Sequence, residues 1–477
     1  MLLYRDFGID AALRKEQGWN QVLNVQFPSP TATPIFGVDP ARDGEFILTI
    51  ETGAFDVWKY WLKADGRVIG QGKPNLRKWD SPFIHAPFFL RAARFWQQIF
   101  TWCDGAQESD VGRQIRNSLG TAFQSYSRTI EYMTRGDFIP KTSCRMAVLA
   151  VYAFTSGQGK WFRSQTPFDG LFGGYHAYGY YSCLNLQEPH VVVGYFDHDE
   201  EDEPSQEHLP FAKDFLGIDQ GLGKTVSIDL ATGKIMSDKD RICFAELTDN
   251  PHDEASMLPP NQDDFLRYLE EYAWRLTTGQ YRIDKMGSDP RDHEGITLFP
   301  QPPLCNEIPR VISSNASTIP IVSRAVTRGL EIVGSAVFVR EGRDQFGFVY
   351  CIRIRLLQPN EEGYQNEAER GFVTCQLQSR HWQIRDESTG RTDVVDGGGV
   401  IGLYPLFKEG AYAGNGTYNH FTPGTFQYQS CTGRAFVIGS FQGEIAFVPG
   451  SIQKPSGPTF RAALNPFLLD SRPNFLY

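Results

Sequence analysis

A chain of 477 residues with 41% hydrophobic, 13% aromatic and 21% charged residues has the make-up of a folded globular protein and exceeds one ordinary core, so two or three domains are expected. Its formal net charge of −10 argues against nucleic acid as the main partner, because phosphate binding needs clustered Lys and Arg to release counterions. No apolar run of about 18 residues reads as a membrane span, and "MLLYRDFGID" lacks the basic start and apolar core of a signal peptide, which points to the cytosol or nucleus.

Residues 1–85 are rich in Pro, Gly and aromatics, with "EFILTIET" and "DVWKYWLKADGRVIG" reading as short strands broken by turn residues. Trp19, Trp58, Trp61 and Trp79 of this segment read as core side chains first and as interface anchors second. From Pro87 the pattern turns helical: "FFLRAARFWQQIFTW" places Phe88, Ala92, Phe95 and Ile99 near one face, and apolar side chains continue through "VGRQIRNSLGTAF".

Residues 138–235 mix strands with glycine-rich turns, in "LFGGYHAYGYYSCLNL", "FAKDFLGID" and "KTVSIDLATGKI". They are interrupted by "DHDEEDEPSQE" (197–207), seven acids among eleven residues, which reads as an exposed loop. "DDFLRYLEEYAWRLTTG" (263–279) carries Phe265, Leu269, Tyr272 and Leu276 on one helical stripe, with Gly279 at the C-terminal stop. It closes a domain. The prolines, glycines and mixed charges that follow read as a linker over 286–322.

After Thr327 the pattern is strongly β. In "FGFVYCIRIRLLQ", Phe348, Tyr350, Ile352, Ile354 and Leu356 alternate with Val349, Cys351, Arg353 and Arg355, a period of two that assigns the first set to a core and the second to solvent. Further strands follow in "FVTCQLQSRHWQIRDE", "FQYQSC" and "GSFQGEIAFVP", and short strands at this spacing indicate a sandwich.

Two motifs suggest phosphate chemistry. Gly397, Gly399 and Gly402 in "DGGGVIGLYP" have the G-x-G-x-x-G order, but a dinucleotide fold needs a helix next, whose N-terminus holds the phosphate. "LYPLFKEGAYAGNG" follows instead, which favours a tight turn between strands. "GIDQGLGKT" ends like a phosphate loop, yet Ile218 stands where the first glycine belongs. His190, His198 and His208 lack the i, i+4 helical spacing of a metal pair, and the eight cysteines are scattered singly, so no metal and no cofactor is expected and the thiols read as buried and reduced. Asn315 and Asn415 open sequons that read as coincidental. Neither a G-x-S-x-G elbow nor an acid/base carboxylate pair is present, so no catalytic residue is named.

The C-terminal text "TRGLEIVGSAVFV", "FGFVYCIRIRL", "CQLQSRHWQIRD", "GGGVIGLYPLF", "PGTFQYQSC", "GSFQGEIAFVP" and "FRAALNPFLLD" resembles the ApaG domain. That resemblance implies a fibronectin type III-like β-sandwich, in which the glycine turn occupies a position proposed in some members to hold pyrophosphate-like ligands. "FIPKTSCRMAVLAVYAFTSGQGK", "FDGLFGGYHAY", "FAKDFLGI" and "FLRYLEEYAWRLTTGQYRI" are similar to the SUKH-type domain that precedes ApaG in a class of F-box proteins, notably the plant Skp-interacting form. In that class an N-terminal F-box docks on Skp-type adaptors of a cullin-based ubiquitin ligase. Residues 1–85 show no L-P-x-E opening and no amphipathic helical series.

The expected architecture is therefore multi-domain: a strand-rich segment of unknown type (1–85), a SUKH-like α+β domain (86–285), a linker (286–322) and an all-β ApaG-like sandwich (323–477). The expected function is non-enzymatic protein–protein interaction, similar to the substrate-recognition part of an F-box ubiquitin-ligase receptor. The alternative is a structural subunit of a large ciliary or organellar assembly. A phosphate- or nucleotide-binding module is the minor alternative, with Gly397, Gly399, Gly402, Arg380 and His381 as its candidate residues.

Overall fold

The fold was derived from a computed structural model. The structure describes residues 35–38, 46–52, 56–62, 68–72, 86–106, 110–119, 151, 157–158, 170–177, 180–187, 208–214, 225–229, 235–237, 242–243, 264–286, 293–302, 319–339, 347–414, 421–432 and 436–471. The acidic run 197–207, the phosphate-loop-like turn, both sequons, His190, His198 and the side chains of His208 and the four N-terminal tryptophans lie outside the described residues. The chain forms two compact units, one containing Met1–Phe172, Leu184–Phe215 and Lys224–Thr277, the other Gly173–Cys183, Leu216–Gly223 and Thr278–Tyr477.

In the first unit, β1 (Ile35–Val38), β2 (Phe46–Thr52), β3 (Asp56–Leu62) and β4 (Val68–Gly72) form an antiparallel sheet in chain order. The strands read from "EFILTIET" and "DVWKYWLKADGRVIG" are β2, β3 and β4. Helix α1 (Ala86–Gly105) follows, then α2 (Asp110–Ser118). Ala92, Phe95 and Ile99 are fully buried, as their one-sided spacing requires. Trp96 is buried too and donates its Nε1 proton to the Val151 carbonyl at 2.9 Å, which satisfies the one polar atom of an otherwise apolar ring.

Strands β5 (Gly174–Ala177), β6 (Tyr180–Leu186), β7 (His208–Asp214), β8 (Thr225–Asp229), β9 (Ile235–Ser237) and β10 (Ile242–Cys243) come next. Within the first unit, Leu184–Leu186 of β6 pair with β7, and β7 to β10 run as an antiparallel meander. Helix α3 (Asp264–Thr277) buries Phe265, Leu269, Tyr272 and Leu276, and Gly279 beyond it has φ +73°, the left-handed conformation that ends helices. Buried Gln158 ties the loops of this unit together: its amide donates to Ser118 Oγ at 2.8 Å while its oxygen accepts from the Leu171 and Leu186 N–H groups.

The second unit is built on a sandwich. After β11 (Arg282–Lys285) and β12 (Glu294–Thr297) come β13 (Val322–Thr327), β14 (Leu330–Phe338) and β15 (Phe348–Leu356). A capped turn of helix, α4 (Glu367–Arg370), then precedes β16 (Cys375–Asp386), β17 (Thr392–Gly398), β18 (Leu406–Lys408), β19 (Ala411–Ala413), β20 (Thr422–Pro423), β21 (Phe426–Thr432), β22 (Ile438–Pro449) and β23 (Phe460–Asp470). One sheet has the order β13-β14-β15-β21. The other has β20-β19-β18-β16-β22-β23, with β17 paired to β16. Between them lies a core that includes Ile352, Ile354, Trp382, Tyr428, Phe441 and Phe447. The Trp382 and Phe441 ring centroids are 5.5 Å apart and those of Tyr350 and Phe441 4.6 Å, close enough for aromatic attraction beyond area burial.

One expectation is corrected here. Phe348, Tyr350, Ile352, Ile354 and Leu356 do face the core, but Val349, Cys351 and Arg353 do not face solvent: their exposures are 0%, 0% and 5%. A second set of strands covers them. β11 and β12 form a hairpin, β12 pairs in parallel with β5 at Thr297 and Gly174, and Leu298 N–H donates to the Gly174 carbonyl at 2.9 Å. This layer is stitched to the outer face of the sandwich. Arg353 Nε lies 3.3 Å from Asp284 Oδ2, His176 N–H donates to Gln429 Oε1 at 3.1 Å, and the Gln427 amide donates to the Lys285 carbonyl.

Of the stretch read as a linker, 286–322, the described part includes folded residues, while 287–292 and 303–318 lie outside the described residues. Met286, Ile296, Leu298 and Phe299 are buried, and β11 and β12 serve the sandwich. Of the cysteines, Cys103, Cys183, Cys351 and Cys375 are buried outside disulfides. Burial pushes the Cys351 thiol up to about 11 and Cys103 to about 12, so both are inert at neutral pH.

Candidate functional site

The candidate residues lie on the second sheet, along β16, β17 and the turn after them. β16 enters with Cys375 and Leu377 in the core, and its register against β22 shifts between Leu377 and Ser379. That bulge leaves Gln378 exposed and reverses the alternation. Trp382 and Ile384 therefore pack inward, while His381, Gln383 and Arg385 point out.

The turn is a tight hairpin. Val400 and Leu403 exchange hydrogen bonds at 2.9 and 2.7 Å around Ile401 and Gly402, whose φ values are +43° and +79°. Positive φ at both central positions is the signature of the twisted two-residue hairpin turn. Gly399 has φ +60°, and a Cβ there would stand 2.5 Å from the Leu403 carbonyl oxygen, so glycine is required on two grounds. The turn leads into the short strand β18, not into a helix, and β17 before it is antiparallel to β16.

Several of the groups that could meet a phosphate are engaged inside the chain. Gly399 N–H donates to the Gln378 carbonyl at 3.0 Å, and the N–H groups of Val400 and Leu403 close the hairpin. Arg380 Nη1 donates to the Gly399 carbonyl at 2.7 Å and to that of Gly398 at 3.3 Å. The Gln376 amide, on the same strand, donates to the Tyr404 carbonyl at 2.9 Å. Gly397, Gly399, Gly402 and Arg380 are thus brought together as a braced loop.

His381 stands apart, on the outer face. Its Nδ1 is 2.7 Å from Asp396 Oδ1, its Nε2 is 3.2 Å from the Gln383 amide, and the Gln442 amide donates to Gln383 Oε1 at 3.0 Å. Among the described residues no cluster of three His, Cys, Asp or Glu could hold a metal. Behind the sheet, burial raises Tyr428 well above its ordinary value and keeps it neutral. Asp396, Gln383, Gln442 and Tyr404 went unnoticed in the sequence because strand pairing, not spacing, assembles them.

Comparison with known proteins agrees with this architecture. The ApaG domain family model matches residues 338–449, from the last residue of β14 to the last of β22. Protein ApaG of Anaeromyxobacter dehalogenans is 30% identical over 148 residues, 31% of this chain and 94% of that protein. The F-box protein SKIP16 of Arabidopsis thaliana is 27% identical over 421 residues, 82% of this chain and 86% of that protein. A solved structure from Bordetella pertussis covers 32% of this chain and 96% of its own length, with 23% identity and a TM-score of 0.21. With its C-terminal sandwich matched by the family model and by almost the whole of a bacterial ApaG protein, the chain belongs to the ApaG-domain family.

Proposed function

We propose that this is a non-enzymatic protein–protein interaction protein, acting like the substrate-recognition part of an F-box ubiquitin-ligase receptor. The observation that carries the reading is its likeness to an F-box protein over 82% of this chain and 86% of the relative, an extent that reaches well beyond the ApaG domain. In this reading the region from about residue 86 to the end of α3 is SUKH-like and presents loops and sheet faces to the partner. Affinity purification of the full-length protein beside a version lacking residues 1–85, with mass spectrometry of what is retained, tests it. Skp and cullin subunits with the full-length chain support the ligase role; no ligase component removes it.

The second reading, a structural subunit of a large assembly, draws on β1 to β4. These strands occupy 35–72, where the helical series of an F-box would stand. A defined set of other subunits lost on truncation favours this reading. The glycine loop is proposed as a brace in either case, so calorimetry with pyrophosphate or nucleotides at millimolar concentration should give no heat. Saturable heat abolished by Arg380→Ala would reverse that assignment.

A further inference from the structure

We propose that the edge of β17 with which no strand pairs among the described residues is a docking strand for an extended peptide segment in which basic and apolar side chains alternate. The proposal rests on the protein-interaction reading and gives it a surface.

The hydrogen-bond phase of the β16–β17 pair is fixed at both ends. Asp386 N–H donates to the Arg391 carbonyl at 2.9 Å, and Gly399 N–H donates to the Gln378 carbonyl at 3.0 Å. The register between these points is continuous, from Arg385 opposite Thr392 to Ser379 opposite Gly398. In an antiparallel pair, hydrogen-bonded and non-hydrogen-bonded residues alternate. Asp393, Val395 and Gly397 therefore turn their backbone groups toward β16. Thr392, Val394, Asp396 and Gly398 turn theirs outward, and among the described residues no strand pairs with that side.

Proteins protect such an edge with charged side chains, above all lysine, or with proline, a bulge or a covering element, and of these, among the described residues, β17 has only its two aspartates. The strand "TDVVDGG" has neither lysine nor proline, and its register with β16 is unbroken. Its apolar side chains are outside: Val394 is 54% and Val395 39% exposed, with Ile401 and Tyr404 at 40% and 39% just beyond the strand end. Four of the seven exposed large hydrophobic residues described in the chain thus fall within 394–404, a local concentration that marks interaction surfaces.

Charge selects the occupant. Asp396 lies at an outward-bonding position, and its side chain is 71% exposed although it touches His381. Asp393 on the same strand is already paired with Arg391 at 3.2 Å, and Asp386 accepts from the Ser388 and Thr389 hydroxyls, so Asp396 is the acid that meets an added strand. A second copy would bring the same aspartate and another chain of net charge −10 to the edge, whereas Lys or Arg in an added strand complements Asp396. Main-chain bonds to Val394 and Asp396 would give the pairing, Val394 an apolar contact, and Asp396 the charge preference.

The test uses the purified full-length protein and a fluorescent peptide of alternating lysine and valine, with a glutamate–valine peptide as the charge control. Expected are binding of the lysine peptide at least tenfold tighter than the control and hydrogen-exchange protection confined to 392–398. Val394→Pro removes an outward N–H without touching the β16 ladder, so it should abolish binding and leave the melting curve in place. Asp396→Arg should invert the charge preference, and reads the proposal even if the proline variant fails to fold. Equal binding of both peptides, protection elsewhere, or concentration-dependent protection of 392–398 without peptide, the sign of a second copy, would each overturn it. Failure here with a ligase complex still recovered from cells refutes the edge alone; peptide binding without any cellular partner refutes the broader reading alone.

Discussion

The two sheets of the sandwich share one core and treat their outer faces in opposite ways. On β14, β15 and β21 the outward residues Val333, Val337, Val349, Cys351, Gln427 and Gln429 are all buried, and β5, β11 and β12 bond to that face at Gln429, Gln427 and Arg353. On β16, β17 and β22 the outward residues include His381, Gln383, Asp396 and Gln442, linked by hydrogen bonds, with Asp396 exposed and the other three half-buried. Period-two alternation shows that a strand has two faces. What covers the second face depends on other parts of the chain, so one sheet is sealed into the fold and the other keeps a partly exposed face.

The largest expected effect comes from removing the cover. Residues 323–477 expressed alone should aggregate or lose near-ultraviolet circular dichroism, since an apolar face is bared; a monodisperse fragment with a cooperative melt would show that the covering strands are dispensable. Next is a matched pair of charges. Val349→Asp buries an uncompensated carboxylate and should cost about 3–5 kcal/mol in denaturant unfolding, while Val394→Asp on exposed β17 should stay within about 0.5 kcal/mol. Comparable losses at the two sites would erase the distinction between the sheets.

Smaller effects resolve the braced loop. Gly399→Ala meets both a positive φ and the Leu403 carbonyl and should lose about 2–3 kcal/mol. Gly402→Ala has only the φ of +79° against it, with open space around its Cβ position, and should lose about 1 kcal/mol. Equal costs would mean the hairpin yields at Gly399. The smallest effect is titration of Asp386, whose carboxyl is held below its ordinary value by hydrogen bonds from the Ser388 and Thr389 side chains. Because its folded value is depressed, its contribution is present above the unfolded carboxylate value of about 3.9 and fades as pH falls through the lower folded value. A carboxyl-carbon NMR titration with an unshifted midpoint would refute the hairpin geometry.

Much of this was legible in the sequence. The stripe of α3 through Phe265, Leu269, Tyr272 and Leu276 needs only local periodicity, and so does the core side of β15. The turn nature of Gly399 and Gly402 followed from what comes next in the chain, where no helix can start. The bulge at Gln378 was not legible. One extra residue there decides that Arg380 reaches the glycine carbonyls while His381 reaches Asp396, and nothing in "CQLQSRHWQIRD" announces it. The fate of Val349 and Cys351 was hidden for another reason. Their cover comes from β5, β11 and β12, too far away in the chain for any local pattern to reveal.

That distance also shapes how the chain reaches its final form. The bond from His176 to Gln429 spans 253 residues, so strand β5 leaves the ribosome long before the sheet it protects exists. Closing so long a loop is slow relative to local pairing. Until it closes, the hydrophobic side of β14 and β15 is open to other chains. Synthesis of this protein should therefore pass through a stage that depends on chaperones, and mutations in the covering strands should lower yield more than they lower the stability of molecules already folded.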